Sequence, residues 1–429
     1  LYGAIRAGDP ERFGELLVDT QERPASAGPA TSTAIAVNGG EAVAYALKQI
    51  EPEVVAAYPI TPQTLIIEKF AEYCADGLVR TEYINVESEH AALSACVGAS
   101  AAGARAITAT AGPGLALMFE MLGVASGMRL PIVMHLCTRA LSAPLNILGD
   151  HSDAMAMRET GWVMLSGSSP QEAYDLALVA QTIAEHPDVM LPTANLVDGF
   201  MVTHAVERVD VLPDDVVREY VGEYEPETSL LAEGSTATYG ALDFRDYYFE
   251  HRRQQEAALY RSRPIVEQAL KRFGEISGRD YNILEPYRME DAEVVLVLLG
   301  SAEGQAHAAV DAARATGLKA GALRVRLFRP FPTKAVAEAL SGARVVGVLD
   351  RAIGFGSVDN PLLSDIKSTL WTQSNRPLTK GFVYGLGGRV VTLGQFNQAF
   401  DELRSALESG EVPLEPTYLG LREDGEVSE

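Results

Sequence analysis

From Ala34 onward, short apolar runs alternate with stretches of helical period, and the alternation persists to about residue 410. GGEAVAYALKQI (39–50) is amphipathic and predicts a helix. EVVAAYPI (53–60) reads as a buried strand closing on a Pro-bounded loop. TLIIEKFAEYCADG (64–77) returns to helix, with Gly77 as its stop. YINVESEH then runs into AALSACVGASAAGA, a helix whose Ala, Gly and Ser side chains allow close packing. RAITAT predicts a strand, AGPG a turn, LALMFEMLGVASG a helix and RLPIVMHLCT another strand. Strands alternating with helices of this length predict an α/β fold with a parallel sheet covered on both faces.

A polar, aromatic and strongly helical region covers about 225–285, and its mixed charges read as a solvated helix face. A second α/β unit begins at AEVVLVLLG (292–300). It continues through GLKAGALRVRLFRPFP and ARVVGVLD and ends in a helix near 396–409. Residues 1 to about 33 end in ERPASAGPATST and have no sustained period, which predicts an arm or linker lying on a neighbouring surface. The stretch after about 410 reads as an acidic, irregular tail.

The 429 residues, at roughly 150 per domain, supply material for about three domains. Lys+Arg 35 against Asp+Glu 58 leaves a net charge of −23, which repels phosphate backbones and anionic lipid and argues against nucleic-acid or membrane binding. The same charge suits a more basic protein partner. Cys74, Cys96 and Cys137 stand alone with no CxxC, so an iron–sulfur cluster, a structural zinc held by this chain alone or a disulfide framework is not expected. No apolar run reaches the ~18 residues of a membrane span. No basic-then-apolar signal layout opens the chain, so a soluble protein of a reducing cytoplasm is expected. The start at Leu1 rather than Met implies processing or missing first residues.

In doubly wound sheets, ligands bind beyond the carboxyl ends of the strands. Those ends here are Tyr58-Pro59-Ile60-Thr61-Pro62, Glu87-Ser88-Glu89-His90, Ala111-Gly112-Pro113-Gly114, Thr138-Arg139 and Gly149-Asp150-His151-Ser152-Asp153. A hydroxyl, a carboxylate, a Gly-Pro-Gly turn opening a helix and an arginine could converge on a small anion. Each also has an ordinary explanation: Glu89 as an N-terminal helix charge, the turn as backbone geometry, Arg139 as an ion-pair partner. His90 reads as structural, and the Asp150/His151/Asp153 cluster as a polar loop or subunit contact rather than a metal site.

In this order, the segments AAYPITPQT (56–64), VESEHAALSACVGASAAGARAITATAGPGLALM (86–118), CTRALSAPLNILGDHSD (137–153) and VDGFMVTH (197–204) resemble the α subunit of the 2-oxoacid:ferredoxin oxidoreductases. FGEISGRDY (273–281), LRVRLFRPFP (323–332) and VVGVLDR (345–351) look like the second domain of the same subunit. The resemblance implies an N-terminal arm at 1–33, a pyrimidine-binding thiamine diphosphate domain at 34–224 and a helical connecting segment at 225–290. A transketolase C-terminal-like α/β domain at 291–410 and an acidic tail at 411–429 would follow.

The same resemblance implies that Glu89 matches the carboxylate on N1′ of the cofactor's aminopyrimidine, where its hydrogen bond favours the imino tautomer. Arg139 matches the arginine on the substrate carboxylate, a role suited to its fork geometry. Thr61 matches the threonine that contacts the bound 2-oxoacid. Tyr58, Pro59, Ile60, Gly112 and Gly114 would line the cofactor with Glu89. No Gly-Asp-Gly followed about two dozen residues later by Asn is present, so the diphosphate and its Mg2+ are expected on a β subunit. A δ subunit would carry [4Fe-4S] clusters, and a γ subunit would help bind coenzyme A. The implied reaction is the oxidative decarboxylation of a 2-oxoacid, pyruvate by default, to acyl-CoA, with low-potential electrons passing to ferredoxin or another acceptor. Branched-chain 2-oxoacids and phenylglyoxylate stay open because other chains can supply the walls around the substrate's R group, and TAGPG departs from the Ser-Gln-Gly turn of many pyruvate enzymes, which counts against pyruvate. A non-catalytic assembly subunit and a nicotinamide-linked reductase are readings of other classes. For the last, VVLVLLGSAEG (294–304) lacks the full GxGxxG and a ribose acid, and GLGGRV (385–390) is weaker still.

Overall fold

A computed structural model describes residues 29–422 except 227, 233 and 235. Seven strands make the first sheet, in the order Leu327–Arg329, Val163–Ser166, Thr193–Asp198, Val133–Thr138, Ala106–Thr110, Val54–Ala57 and Glu82–Asn85. All neighbours run parallel except the edge strand Leu327–Arg329. The three middle strands Thr193–Asp198, Val133–Thr138 and Ala106–Thr110 are buried along their whole length, as a sheet with helices on both faces requires. A second sheet of six strands runs Thr417–Tyr418, Leu378–Val383, Val345–Asp350, Val294–Leu298, Ala320–Val325 and Leu284–Tyr287, the last antiparallel.

Local chemistry sets the helix starts. Helix Gly39–Ile50 opens on a capping box: the Asn38 side chain accepts from Glu41 N at 2.9 Å, and Glu41 Oε2 accepts from Asn38 N at 3.1 Å. Its strand, Thr33–Asn38, pairs antiparallel with Val206–Val211 in a separate two-stranded ribbon that the apolar pattern did not foretell.

Four segments differ from expectation. LALMFEMLGVASG is two helices, Pro113–Leu117 and Phe119–Gly127, broken at Met118, and the first starts inside AGPG with Pro113 at its first position. Of the region at 225–285, the long helix occupies only Tyr248–Ser277. That helix is not merely solvated. It buries Gln255, Ala258, Ser262, Val266, Leu270, Phe273 and Ser277 at helical spacing against helices Phe119–Gly127 and Pro170–Ala184. Burial of Val266, Leu270 and Phe273 contributes roughly 1.5–3 kcal/mol each. Beyond it, Arg279 forks onto Asp175 with two bonds of 2.7 Å, which fixes FGEISGRDY to the first sheet's helical layer. LRVRLFRPFP splits between the two sheets, and Leu327–Arg329 crosses over to pair with Val163–Ser166. The expected irregular tail adds an edge strand at Thr417–Tyr418, and its last residues, 423–429, lie outside the described residues.

The expected N-terminal arm lies outside the described residues up to residue 28. From there, Ala30 N donates to Ile276 O at 2.8 Å, so the chain enters along the end of the long helix.

Buried charge joins the two sheets. Glu172 takes Arg324 at 2.7 Å and Arg326 at 2.8 Å, and Arg324 reaches Glu303 at 2.9 Å. Asp198 accepts from Ser301 N at 2.8 Å, Ser301 Oγ at 2.6 Å and Arg351 Nη1 at 3.2 Å, and it lies 2.8 Å from His151 Nε2. These partners hold the Asp198 carboxyl well below the usual carboxylate range despite its burial. Gly300 has φ +69°, and a Cβ there would fall 2.6 Å from Asp198 Oδ2. The turn in VVLVLLGSAEG therefore cradles an internal carboxylate, the position a dinucleotide phosphate would need.

Candidate functional site

At the carboxyl end of the first sheet, the expected residues meet around one turn. Strand Val54–Ala57 delivers Tyr58, Pro59, Ile60 and Thr61, and this loop is tied down by the buried Gln63. Gln63 Oε1 accepts from Ile60 N at 3.1 Å, and its Nε2 donates to Ala109 O at 3.0 Å on the neighbouring strand. Glu89 opens helix Glu89–Ala101, capped by Ser88 Oγ, which accepts from Ala91 N at 3.2 Å. Strand Ala106–Thr110 feeds Ala111-Gly112-Pro113-Gly114, and strand Val133–Thr138 feeds Arg139.

The Gly-Pro-Gly turn is closed on both sides. A Cβ on Gly114 would fall 2.6 Å from Glu89 Oε1 and 2.6 Å from Thr110 Oγ1. A Cβ on Gly112, where φ is +43°, would fall 3.1 Å from the Arg139 stem. Glycine is what lets the carboxylate and the guanidinium stem approach the same turn.

Glu89 is only 6 % exposed, and among the described residues its carboxylate has no hydrogen-bond or ion-pair partner. The neighbouring Thr110 Oγ1 is buried and also unpartnered. A fully buried polar atom left open, as Thr110 Oγ1 is, costs on the order of 1–3 kcal/mol, and with the Glu89 carboxylate beside it the pair is suited to a ligand that brings hydrogen bonds. These residues fit the pyrimidine half of thiamine diphosphate. Among the described residues, no cluster of three or more His, Cys, Asp or Glu side chains is arranged to hold a metal ion.

Arg139 is held at three points. Its backbone N–H donates to Asp153 Oδ2 at 2.9 Å, Nη1 donates to the Thr61 carbonyl at 2.9 Å, and Nε donates to the Asn146 carbonyl at 3.0 Å. The Nη2 edge remains for an anion. Burial pulls its pKa below the ordinary value and the Asp153 charge opposes this, but a guanidinium stays cationic. The Thr61 side chain is exposed at the mouth of the site.

Asp150 and His151 lie in the loop before helix Ser152–Met157 and Asp153 in its first turn, and the three do different jobs within the chain. Asp150 accepts from Ser152 and from Gly387 N of the second sheet unit, and His151 pairs with Asp198. Asp153 takes Gly112 N at 2.8 Å and Arg139 N at 2.9 Å on one oxygen, and Ala154 N at 2.7 Å on the other. One buried carboxylate thus clamps the turn and the arginine together. Burial pushes its pKa up to about 8 against the pull of those three N–H donors. His90 sits half-exposed, 4.0 Å from Glu120. Gln63, Asn146 and the clamp made by Asp153 were not identified from sequence, because bonds to backbone atoms leave no periodic trace, and Thr110 read only as the last residue of its strand.

Residues 45–271 match the family described as pyruvate flavodoxin/ferredoxin oxidoreductase, thiamine diphosphate-binding, and residues 292–396 match pyruvate:ferredoxin oxidoreductase core domain II. Pyruvate synthase subunit PorA of Thermotoga maritima is 50% identical over 389 residues, 91% of this chain and 98% of that one. The chain belongs to the pyruvate flavodoxin/ferredoxin oxidoreductase family. The resemblance read from YPITP, SEHAA and TRALSAP is thereby confirmed. Within this family, ketoisovalerate oxidoreductase subunit VorA of Pyrococcus horikoshii is 39% identical, covering 90% of this chain and 98% of that one. A solved 2-oxoglutarate:ferredoxin oxidoreductase from Magnetococcus marinus shares the fold, with TM-score 0.65, 19% identity and coverage of 91% of this chain and 69% of that one. A split-gene transketolase also shares it at TM-score 0.52 and 15% identity, covering 86% of this chain and 99% of that one. Among the described residues, no helix is long and apolar enough to cross a membrane.

Proposed function

We propose that this chain is the α subunit of a multi-subunit, thiamine-dependent 2-oxoacid oxidoreductase. It acts on pyruvate and coenzyme A to give acetyl-CoA, carbon dioxide, a proton and two low-potential electrons for ferredoxin. The observation that carries this reading is the Gly112–Pro113–Gly114 turn, with the buried, unpartnered Glu89 carboxylate against one end and Arg139 against the other.

Glu89 would hold the pyrimidine N1′ by a hydrogen bond to its carboxylate. Gly114 leaves that carboxylate unobstructed, and Thr110 Oγ1 offers a further polar atom beside it. Arg139 binds the 2-oxoacid carboxylate on its free Nη2 edge, while its Nη1 is spent on Thr61. Thr61 presents its hydroxyl to the oxoacid from the mouth. Tyr58, Pro59, Ile60 and Gly112 complete the wall. When bound, thiamine diphosphate supplies the nucleophilic carbon and the electron sink for decarboxylation.

A β-type subunit supplies the diphosphate and Mg2+ site, a δ-type subunit the [4Fe-4S] clusters and a γ-type subunit part of the coenzyme A site. Exposed Tyr58, Leu145, Ile147 and Met201, on the loops that carry the site, support a partner surface there. Pyruvate is favoured over a branched-chain acid because Pyrococcus horikoshii carries relatives of both names, and its pyruvate synthase subunit is 42% identical against 39% for the ketoisovalerate subunit.

The test is viologen reduction by the natively purified complex across pyruvate, 2-oxobutyrate, 2-oxoisovalerate, 2-oxoglutarate, phenylglyoxylate and oxalate, with and without coenzyme A. A coenzyme A-dependent signal strongest on pyruvate is expected. Preference for 2-oxoisovalerate overturns the substrate, and silence across the panel overturns the catalytic reading.

A further inference from the structure

The loop that carries Arg139 has little beneath it. Residues 142–145 are exposed, and a cleft of about 1150 Å³ separates them from Ile353–Asp359 of the second sheet unit. Ala140 N bonds Leu148 O at 3.2 Å, and Leu141 N bonds Ser152 Oγ at 3.0 Å. Between these two anchors and the Gly149 carbonyl, Asn146 is the side chain that ties the loop to the second sheet unit.

Asn146 faces two ways. Its carbonyl accepts from Arg139 Nε at 3.0 Å. Its side-chain Nδ2 donates to Gly387 O at 3.0 Å, across the boundary between the sheet units, while its Oδ1 accepts from Leu148 N at 2.6 Å. Gly387 lies in the GLGG turn with φ +55°, and a Cβ there would overlap the Asn146 amide. The same turn grips the neighbouring backbone: Gly388 N donates to Gly149 O at 2.8 Å, and Gly387 N to Asp150 Oδ2 at 3.2 Å. The turn is fixed in its own unit by Arg351 Nε, which donates to Gly385 O at 3.1 Å.

We propose that Asn146 is a positioning residue through which the GLGG turn of the second sheet unit sets the place of the Arg139 guanidinium, and so the affinity for the 2-oxoacid. The second unit is then part of substrate binding and not only a support. The inference rests on Arg139 binding the oxoacid carboxylate. Free of the Gly387 bond, the loop drifts, and Nε carries the fork away from the carboxylate. Misplacement of a binding group by about 1 Å is enough to cost a large factor.

The experiment measures KM for pyruvate, KM for coenzyme A and kcat in the assembled complex. Asn146→Ser keeps an acceptor for Leu148 N but cannot span to Gly387. Asn146→Ala loses both bonds. We expect pyruvate KM to rise about tenfold in both, with kcat changed less than about threefold and coenzyme A KM unmoved, the pattern of lost ground-state binding. Gly387→Ala, made from the other side, is expected to show the same split and carries the test should the Asn146 variants not assemble. A pyruvate KM within twofold of wild type in Asn146→Ser or in Gly387→Ala overturns the proposal, as does a rise confined to Asn146→Ala. A wild-type complex that turns over no 2-oxoacid overturns the functional reading instead.

Discussion

Arg139 donates from Nη1 to the backbone carbonyl of Thr61 at 2.9 Å. The bond joins two strand ends that are not adjacent in the sheet, since Val54–Ala57 and Val133–Thr138 flank Ala106–Thr110. It also fixes the fork through Nη1 and leaves the Nη2 edge free of a hydrogen-bond partner among the described residues. A lysine reaches the same region with charge but without the planar fork and cannot satisfy Asn146, Thr61 and a substrate together. Arg139→Lys is expected to raise KM for the 2-oxoacid about 10- to 100-fold, or roughly 1.4–2.8 kcal/mol. Steady-state viologen reduction at saturating coenzyme A measures it, and an unchanged KM removes Arg139 from substrate binding.

Gly114 tests the cofactor side. An alanine Cβ would lie 2.6 Å from both Glu89 Oε1 and Thr110 Oγ1, so one of the two must move. Overpacking of this kind costs about 1–3 kcal/mol. Here it should fall mainly on cofactor binding. Gly114→Ala is expected to require at least about tenfold more thiamine diphosphate for half-maximal activity of the cofactor-depleted complex. A wild-type titration curve would separate the Glu89 carboxylate from the cofactor.

The clamp formed by Asp153 predicts a pH dependence with a definite sign. In the unfolded chain an aspartate ionises near 3.8, whereas burial holds Asp153 protonated in the fold up to about 8. Between those values the native state keeps a proton that the unfolded state gives up. This contribution to stability therefore falls as pH rises through the window and levels off above about 8. An asparagine at this position has no proton to lose. The melting temperature of Asp153→Asn, taken relative to wild type, should rise steadily from pH 5 to pH 8. Calorimetry at matched ionic strength measures this, and parallel curves would show Asp153 ionised throughout.

Asp198 predicts the opposite slope. Its carboxyl is held below the usual range by His151, Arg351 and Ser301, so its contribution is present above the unfolded value and is lost as pH falls. Removing one member of a buried charge network typically costs about 3–5 kcal/mol. Asp198→Ala should destabilise the chain by that order in denaturant titration and reduce the acid sensitivity that remains. A loss under about 1 kcal/mol would mean that the two sheet units do not depend on this junction.

The gathering of the candidate residues was legible in sequence because parallel α/β sheets bring their strand ends together. TAGPG, YPITP and CTR each close an apolar strand, and SEH follows the shorter, more polar edge strand Glu82–Asn85, so their order along the chain already placed Gly112, Gly114, Thr61, Arg139 and Glu89 on one edge. The supports were not legible. Asp153 and Asn146 act through backbone N–H and C=O groups, which any residue type carries. The crossing of Leu327–Arg329 into the first sheet was hidden for a related reason. LRVRLFRPFP alternates apolar residues with Arg324, Arg326 and Arg329 as one strand would, and what divides it is the anchoring of Arg324 and Arg326 on Glu172, more than 150 positions away. The long helix Tyr248–Ser277 looked solvated because small residues, Ala258, Ser262 and Gly274, make up much of its buried stripe.

Everything functional here turns on Glu89 acting as the hydrogen-bond partner of the thiamine pyrimidine. Glu89→Gln keeps the volume and the helix start but cannot hold a proton from N1′ as a carboxylate does. The decisive measurement is pyruvate-dependent viologen reduction by the assembled Glu89→Gln complex, with subunit composition and thiamine diphosphate content checked. Turnover should fall about 10²- to 10⁴-fold, the range for loss of a positioned acid–base group. Turnover equal to wild type would contradict the account and leave this chain as a scaffold.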